Sequence, residues 1–96
     1  NCGNPQKVQR YPAEWAAALR RMASVGAELM LPGHGLPIDG RERISHVLTS
    51  AAELLESLVE QTLELMNAGA TLDQVVHAVT PPAHLIELPW LQPVYD

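Results

Sequence analysis

The chain has 96 residues, enough for one small domain, with 47% hydrophobic residues and a formal net charge of −5. The basic residues form no large patch, which argues against a nucleic-acid partner. No apolar run approaches the roughly 20 residues that a membrane-spanning helix needs. A single cysteine, Cys2, excludes an internal disulfide and is interpreted as an incidental thiol. No secretory pattern opens the chain, which slightly favours the cytoplasm, but the true N-terminus is expected to be missing.

The first predicted element is a helix that begins near Pro12. Proline is favoured at the first helical position, and Glu14 follows where a negative charge suits the helix N-terminus. The helix is expected to turn Arg20 and Arg21 away from the core and to end at Gly26. Its inward stripe is predicted from residues at spacings of three and four, namely Trp15, Ala18, Leu19 and Met22.

A short strand is predicted at residues 27–31, followed by a turn that carries His34. Pro32 has no N–H for a central ladder, so the strand should end there. Gly33 and Gly35 permit positive φ and close approach on both sides of His34. Such a histidine is placed to bind something, although an ordinary exposed turn is the simpler local interpretation. The strand has no visible partner, so we expect it to pair with sequence outside this chain or with a second copy.

The longest element is a helix predicted from Arg41 to Asn67, with Gly69 as its stop. Its apolar residues cover an arc of about 160° at 100° per residue, wider than one packing surface needs. A second subunit related by a two-fold axis, or the remainder of a larger protein, should cover the excess. No lysine of the helix accompanies the acids of the other face, so this face is expected to be solvated or to meet a basic surface elsewhere, and the solvated face is the simpler interpretation. The residues predicted to mediate dimerisation are Ile44, Val47, Leu48, Ala51, Leu54, Leu55, Leu58 and Val59; the acids are Glu53, Glu56, Glu60 and Glu64.

After the long helix, residues 71–74 form a capping-box pattern in which Thr71 and Gln74 would bond reciprocally. A short helix should follow and end before Pro81. Its predicted buried face consists of Leu72, Val75, Val76 and Val79. The apolar, proline-rich tail to Tyr95 is too interrupted for regular structure and is expected to lie along a groove.

Several other residues could carry chemistry, but each has a plainer interpretation. His46, His77 and His84 are predicted to be surface or packing residues. A salt bridge is the simpler role for Arg10, although a guanidinium also suits recognition of a sulfate or carboxylate. Asp39 could approach His34 if the turn folds back, but two ligands do not make a zinc site.

Three stretches, residues 4–15, 31–40 and 61–95, together resemble the C-terminal part of metallo-β-lactamase-fold hydrolases of the alkyl sulfatase group. By this resemblance His34 is a metal ligand at the edge of a binuclear zinc site, Arg10 is a weaker substrate-binding candidate, and the later helices form a dimerisation domain. The family's other ligands lie upstream, and no His-x-His-x-Asp-His pattern occurs here. The resemblance therefore implies a C-terminal piece of a longer enzyme that is inactive alone.

The expected fold is mainly α, with a short αβ piece of a metallo-β-lactamase-like α/β fold at residues 1–40. A helical dimerisation region with one long helix follows at residues 41–96. The implied function of the parent is hydrolysis of a sulfate ester by metal-activated water. The expected partners are the remainder of the catalytic domain and a second copy. The alternatives are a non-catalytic helical oligomerisation module, or a lactonase, thioesterase or β-lactamase-like activity.

Overall fold

The computed structural model describes residues 6–92 and is mainly helical, as predicted. The elements, in chain order, are α1 (Pro12–Ser24), β1 (Leu29–Met30), β2 (Ile38–Asp39), α2 (Arg41–Asn67), α3 (Leu72–Ala78) and α4 (Ala83–Ile86). The start of α1 and both ends of α2 agree with the predictions from sequence. The interpretation of Cys2, and the ends of the resemblance stretches at residues 4–5 and 93–95, lie outside the described residues.

Helix α1 lies antiparallel along α2. Met22 and Val25, at its end, line a cavity with Ile44 and Leu48 at the start of α2, whereas Pro12 lies beside Leu63 and its neighbours near the end of α2. Ala16 of α1 and Ala52 of α2 are both buried. Small side chains such as these let two packed helices approach closely. The predicted inward stripe of α1 is therefore displaced: Ala18 and Leu19 are half-buried, but Trp15 and Met22 are about half exposed, and Ala16 is the buried residue.

An ion pair between Arg20 and Glu56 fastens α1 to α2. The guanidinium donates from Nε to Oε1 of Glu56 at 2.6 Å and from Nη2 to Oε2. Through this hydrogen bond, Arg20 holds the pKa of the Glu56 carboxyl below its usual value, and Glu56 raises the pKa of Arg20. The prediction that Arg20 faces away from the core is wrong, and Glu56, on the face of α2 that was expected to be solvated, is instead paired with this arginine. The partner is an arginine 36 positions away in sequence, which a search along one helix cannot find.

The strands form a small antiparallel hairpin within the chain. Leu29 is opposite Asp39, and Met30 is opposite Ile38. The expectation that the first strand pairs outside the chain is wrong, because the residues after the histidine turn supply the partner. Gly40 donates its N–H to the carbonyl of Glu28 at 2.9 Å, and its φ of 99° turns the chain from β2 into α2.

Helix α2 is capped at its C-terminus by a glycine, as the sequence predicts. Gly69 has a φ of 82°, its N–H donates to the carbonyl of Met66, and the N–H of Ala70 donates to the carbonyl of Leu65. This is a Schellman motif, in which a left-handed glycine satisfies the last carbonyls of the helix. The predicted capping box of α3 is confirmed, with Thr71 and Gln74 bonded in both directions.

The predicted buried face of α3 is only partly right. Val75 and Val79 are half-buried, but Leu72 is 80% exposed and Val76 is 66% exposed. The helix has only seven residues. Leu72 and Val76 are four residues apart and share the exposed side of this helix, whereas Val75 and Val79 share the half-buried side.

The segment after α3 lies along α2, as the groove prediction required. Leu85 of α4 is buried, and Nε1 of Trp90 donates to Oγ of the buried Ser50 at 3.0 Å. The side-chain amide of Gln61 bonds both the carbonyl and the N–H of Thr80, at 2.9 and 3.1 Å. The expectation that this tail has no regular structure is wrong, because Pro82 precedes one helical turn.

Candidate functional site: the histidine hairpin

His34 lies at the tip of the loop that joins β1 to β2. The flanking Gly33 and Gly35 leave its side chain exposed, and Gly35 has a φ of 101° that favours glycine. In residues 6–92 no hydrogen bond or ion pair holds the imidazole ring. Leu31 and Leu36 beside it are also exposed. The hairpin therefore presents a histidine and two leucines to whatever meets this end of the molecule.

The described residues do not form a metal site by themselves. Between Gln6 and Gln92, no three His, Cys, Asp or Glu side chains are grouped so that they could hold a metal ion. Asp39 lies on β2, and the structure shows no hydrogen bond between it and His34. A catalytic zinc ion normally has three protein ligands, so His34 fits such a site only as one contributor among several.

The other histidines are surface or packing residues, as predicted. Nδ1 of His77 donates to the carbonyl of Asp73 at 2.7 Å within α3. Nε2 of His84 donates to Oε1 of Glu53 at 3.0 Å, which ties α4 to α2. The ring of His46 meets the ring of Trp90 edge to face at 5.3 Å. These contacts give the three residues structural roles.

Arg10 and the hairpin that carries His34 lie at opposite ends of α1. Arg10 is exposed two residues before Pro12, and Pro12 lies against the later half of α2. The hairpin follows the other end of α1, after a helix of 13 residues that spans about 20 Å. Within one chain, the structure therefore does not bring the two candidate residues together.

The residues predicted to mediate dimerisation divide into two groups. Ile44 and Leu48 are buried within the chain, at the end of α2 where α1 and the hairpin pack. The remaining residues of the predicted set are half-buried and lie along α2: Val47, Ala51, Leu54, Leu55, Leu58 and Val59.

Sequence reasoning missed an apolar cavity beneath the hairpin. It has a volume of about 180 Å³ and lies between the end of α1, β1 and the start of α2. Met22, Val25 and Leu29 border it and are all about half exposed or more. The sequence analysis placed Met22 in the helix core and Leu29 in a strand paired elsewhere. The cavity is therefore visible only in the folded structure, where the two residues lie side by side.

The fold and the hairpin thus define a mainly helical chain that presents one histidine on a glycine-flanked loop. In the described part of the chain, no helix is long and apolar enough to cross a membrane. No family model matches the chain, and no solved structure matches it.

The chain is similar to the linear primary-alkylsulfatase of Pseudomonas sp. (strain ATCC 19151). The two are 36% identical over 87 residues, which is 90% of this chain and 16% of that enzyme. The chain is therefore related in sequence to an alkylsulfatase, and it spans about a sixth of the length of that relative.

Proposed function

We propose that this chain is the C-terminal part of a metal-dependent hydrolase that cleaves alkyl sulfate esters. The observation that carries the proposal is the 36% identity to a linear primary-alkylsulfatase along 90% of the chain. Residues 1–40 would end a metallo-β-lactamase-like catalytic domain, and residues 41–96 would form its helical dimerisation domain. The exposed leucines of the hairpin support this division, since Leu29, Leu31 and Leu36 would be covered by the remainder of a catalytic domain.

In this proposal His34 contributes one ligand to a zinc centre. Its glycine-flanked position and unengaged ring suit a ligand. Zinc would supply activation of water and stabilisation of the developing negative charge. Since the described residues lack the other ligands, the chain alone is expected to be inactive, and no reaction step is assigned to it.

A graft into the relative tests the proposal. The matching segment of the Pseudomonas alkylsulfatase is replaced by this chain, and release of inorganic sulfate from a linear alkyl sulfate is measured together with zinc content. We expect the chimaera to retain both, and His34→Ala to lower both. The matched control is His77→Ala, because His77 is an exposed histidine engaged only within α3.

Two outcomes would contradict the proposal. Unchanged zinc content in the folded His34→Ala chimaera would remove the ligand role. A folded, zinc-loaded chimaera that hydrolyses lactones, thioesters or β-lactams but no alkyl sulfate would favour another activity of the same fold.

The second candidate function is a helical oligomerisation module without catalytic activity. The half-buried apolar residues of α2 favour it independently of any metal. In either case we propose that α2 mediates a homodimer, which gel filtration of the 96-residue chain tests directly.

A further inference from the structure

The hairpin that carries His34 has a very short ladder of its own. The ladder joins Leu29 to Asp39 and Met30 to Ile38, and beyond these two pairs the chain forms the long loop. A two-stranded hairpin by itself is marginally stable in water. Contacts outside the ladder must therefore help to hold the loop, and with it the imidazole ring, in a fixed position.

Arg41 closes the base of the hairpin. It is the first residue of α2 and follows β2 and Gly40 directly. Its Nη2 donates to Oε1 of Glu28, the residue before β1, at 3.3 Å, and the N–H of Gly40 donates to the carbonyl of the same glutamate at 2.9 Å. In residues 6–92, no other side-chain hydrogen bond joins the segment before β1 to the segment after β2.

The side chain of Arg41 also lies against the turn that leads out of α1. A Cβ added to Gly26 in this turn would lie 3.8 Å from both Cδ and Nε of Arg41, which is ordinary van der Waals contact. Arg41 therefore meets the segment before β1 at two points, Gly26 and Glu28, while its own backbone belongs to α2. One side chain thus connects the hairpin to the end of α1 and to the start of α2.

Local chemistry does not favour an arginine at this position. The N-terminus of a helix carries partial positive charge, so a cation in the first turn is destabilising. Arg41 and Arg43 both lie in the first turn of α2, but within the described residues only Arg41 has an acidic partner. A residue that conflicts with its local setting is often explained by a role in the tertiary structure or the site. For Arg41 that role is closure of the hairpin.

We propose that Arg41 is a positioning residue which, by binding Glu28, holds the hairpin in the orientation that presents His34 to a metal ion. The inference rests on the ligand role proposed above for His34 and names the residue that supports it. Arg41 acts through the base of the hairpin and not on the imidazole itself. The side chains of Arg41 and Glu28 are 64% and 81% exposed, so solvent screens the pair and its removal should change the hairpin by a small factor.

The first experiment needs no metal. Amide hydrogen exchange of the 96-residue chain is followed by NMR at Gly40, whose N–H bonds Glu28, and at Ala70, whose N–H lies beyond the other end of α2. We expect Arg41→Gln to accelerate exchange at Gly40 about two- to five-fold and to leave Ala70 unchanged. The matched control is Arg43→Gln, which removes the same charge from the same turn without removing a bond to Glu28, and it should leave both rates unchanged.

The second experiment measures the zinc affinity of the alkylsulfatase chimaera by competition with a chelator. A hairpin that is closed for less of the time binds a metal with lower apparent affinity. We expect Arg41→Gln to weaken zinc binding about two- to five-fold and Arg43→Gln to leave it unchanged. The charge-swapped double variant, Glu28→Arg with Arg41→Glu, should recover the lost affinity. Each reversal alone places like charges together and should not recover it.

The outcomes separate this proposal from the proposed function. Equal exchange at Gly40 in the Arg41→Gln and Arg43→Gln chains would overturn the positioning role and leave the zinc role of His34 intact. Faster exchange with unchanged zinc affinity would also overturn it, since Arg41 would then be a structural residue alone. If the folded His34→Ala chimaera kept its zinc, the proposed function would fail, and the positioning role would fail with it.

Discussion

The Arg20–Glu56 ion pair makes the packing of α1 on α2 depend on pH. Folding lowers the pKa of Glu56 below its ordinary value of 4.5, through the hydrogen bond from Arg20. A carboxyl group with a lowered pKa adds stability that is present above its unfolded pKa and is lost as the pH falls through the folded value. Both side chains are almost half exposed, so screening by solvent keeps the effect small.

Glu56→Gln should therefore reduce the free energy of unfolding slightly at about pH 7, and the deficit should be smaller at an acidic pH below 4.5. Urea unfolding of both chains at the two pH values measures it. The matched control is Glu60→Gln, because Glu60 lies one turn further along α2 and forms no ion pair among the described residues. A deficit that persists at low pH would show that the ion pair is not its source.

Trp90 fixes the tail to α2 through one hydrogen bond and one ring contact. Trp90→Phe keeps an aromatic ring beside His46 but leaves Ser50 without its donor. Because the hydroxyl of Ser50 still donates to the carbonyl of His46, we expect a loss of about 1 kcal/mol in the free energy of unfolding. Urea unfolding followed by far-ultraviolet circular dichroism measures the loss. Equal stabilities would indicate that water replaces the indole N–H without cost.

At the scale of elements, Gly69 controls the junction between α2 and α3. Gly69→Ala should cost about 1 kcal/mol, because alanine is strained at a φ of 82° although nothing lies within 4 Å of the added Cβ. Gly33→Ala is the matched control, since its φ is not positive and its Cβ would also meet open space. Thermal unfolding of the two variants compares them, and similar midpoints would mean that the Schellman closure adds little stability.

The elements that follow from local chemistry were predictable from sequence. Pro12 at a helix start, the capping box at Thr71 and the glycine after α2 each act on neighbouring residues, so a short window contains the whole signal. Pairings between distant residues were not predictable in this way. The bonds from Trp90 to Ser50 and from Arg20 to Glu56 span 40 and 36 positions, and the helix packing that brings them together has no local signature.

The candidate site was predictable to the same limited extent. The glycines around His34 indicated an exposed loop, and the structure places His34 on one. What they could not indicate was the second strand, which is too short for a periodic pattern, or the separation of Arg10 from His34. That separation follows from α1, a helix of 13 residues that lies between Arg10 and the hairpin and spans about 20 Å.

At the scale of the whole molecule, the chain has a small core. The buried apolar residues of the described part are few, and no large side chain is fully buried. Many large apolar residues remain about half exposed or more, including Met22, Leu29 and Leu63. A domain of this size buries a limited fraction of its surface and is marginal on its own. Covering the half-buried apolar strip of α2, which consists of Val47, Ala51, Leu54 and Leu58, would therefore add stability that one copy lacks.

Stability that comes from a partner copy depends on concentration. If two copies pair through the strip, each tenfold rise in chain concentration should raise the apparent free energy of unfolding by about 1.4 kcal/mol per dimer. Leu58→Glu places a charge in the strip and should abolish this dependence, whereas Leu72→Glu changes an exposed leucine of α3 and should keep it. Thermal midpoints over a range of chain concentrations measure the dependence, with circular dichroism confirming that each variant is folded. A midpoint of the unmodified chain that does not change with concentration would contradict pairing, and the strip would then require cover from elsewhere in a larger protein.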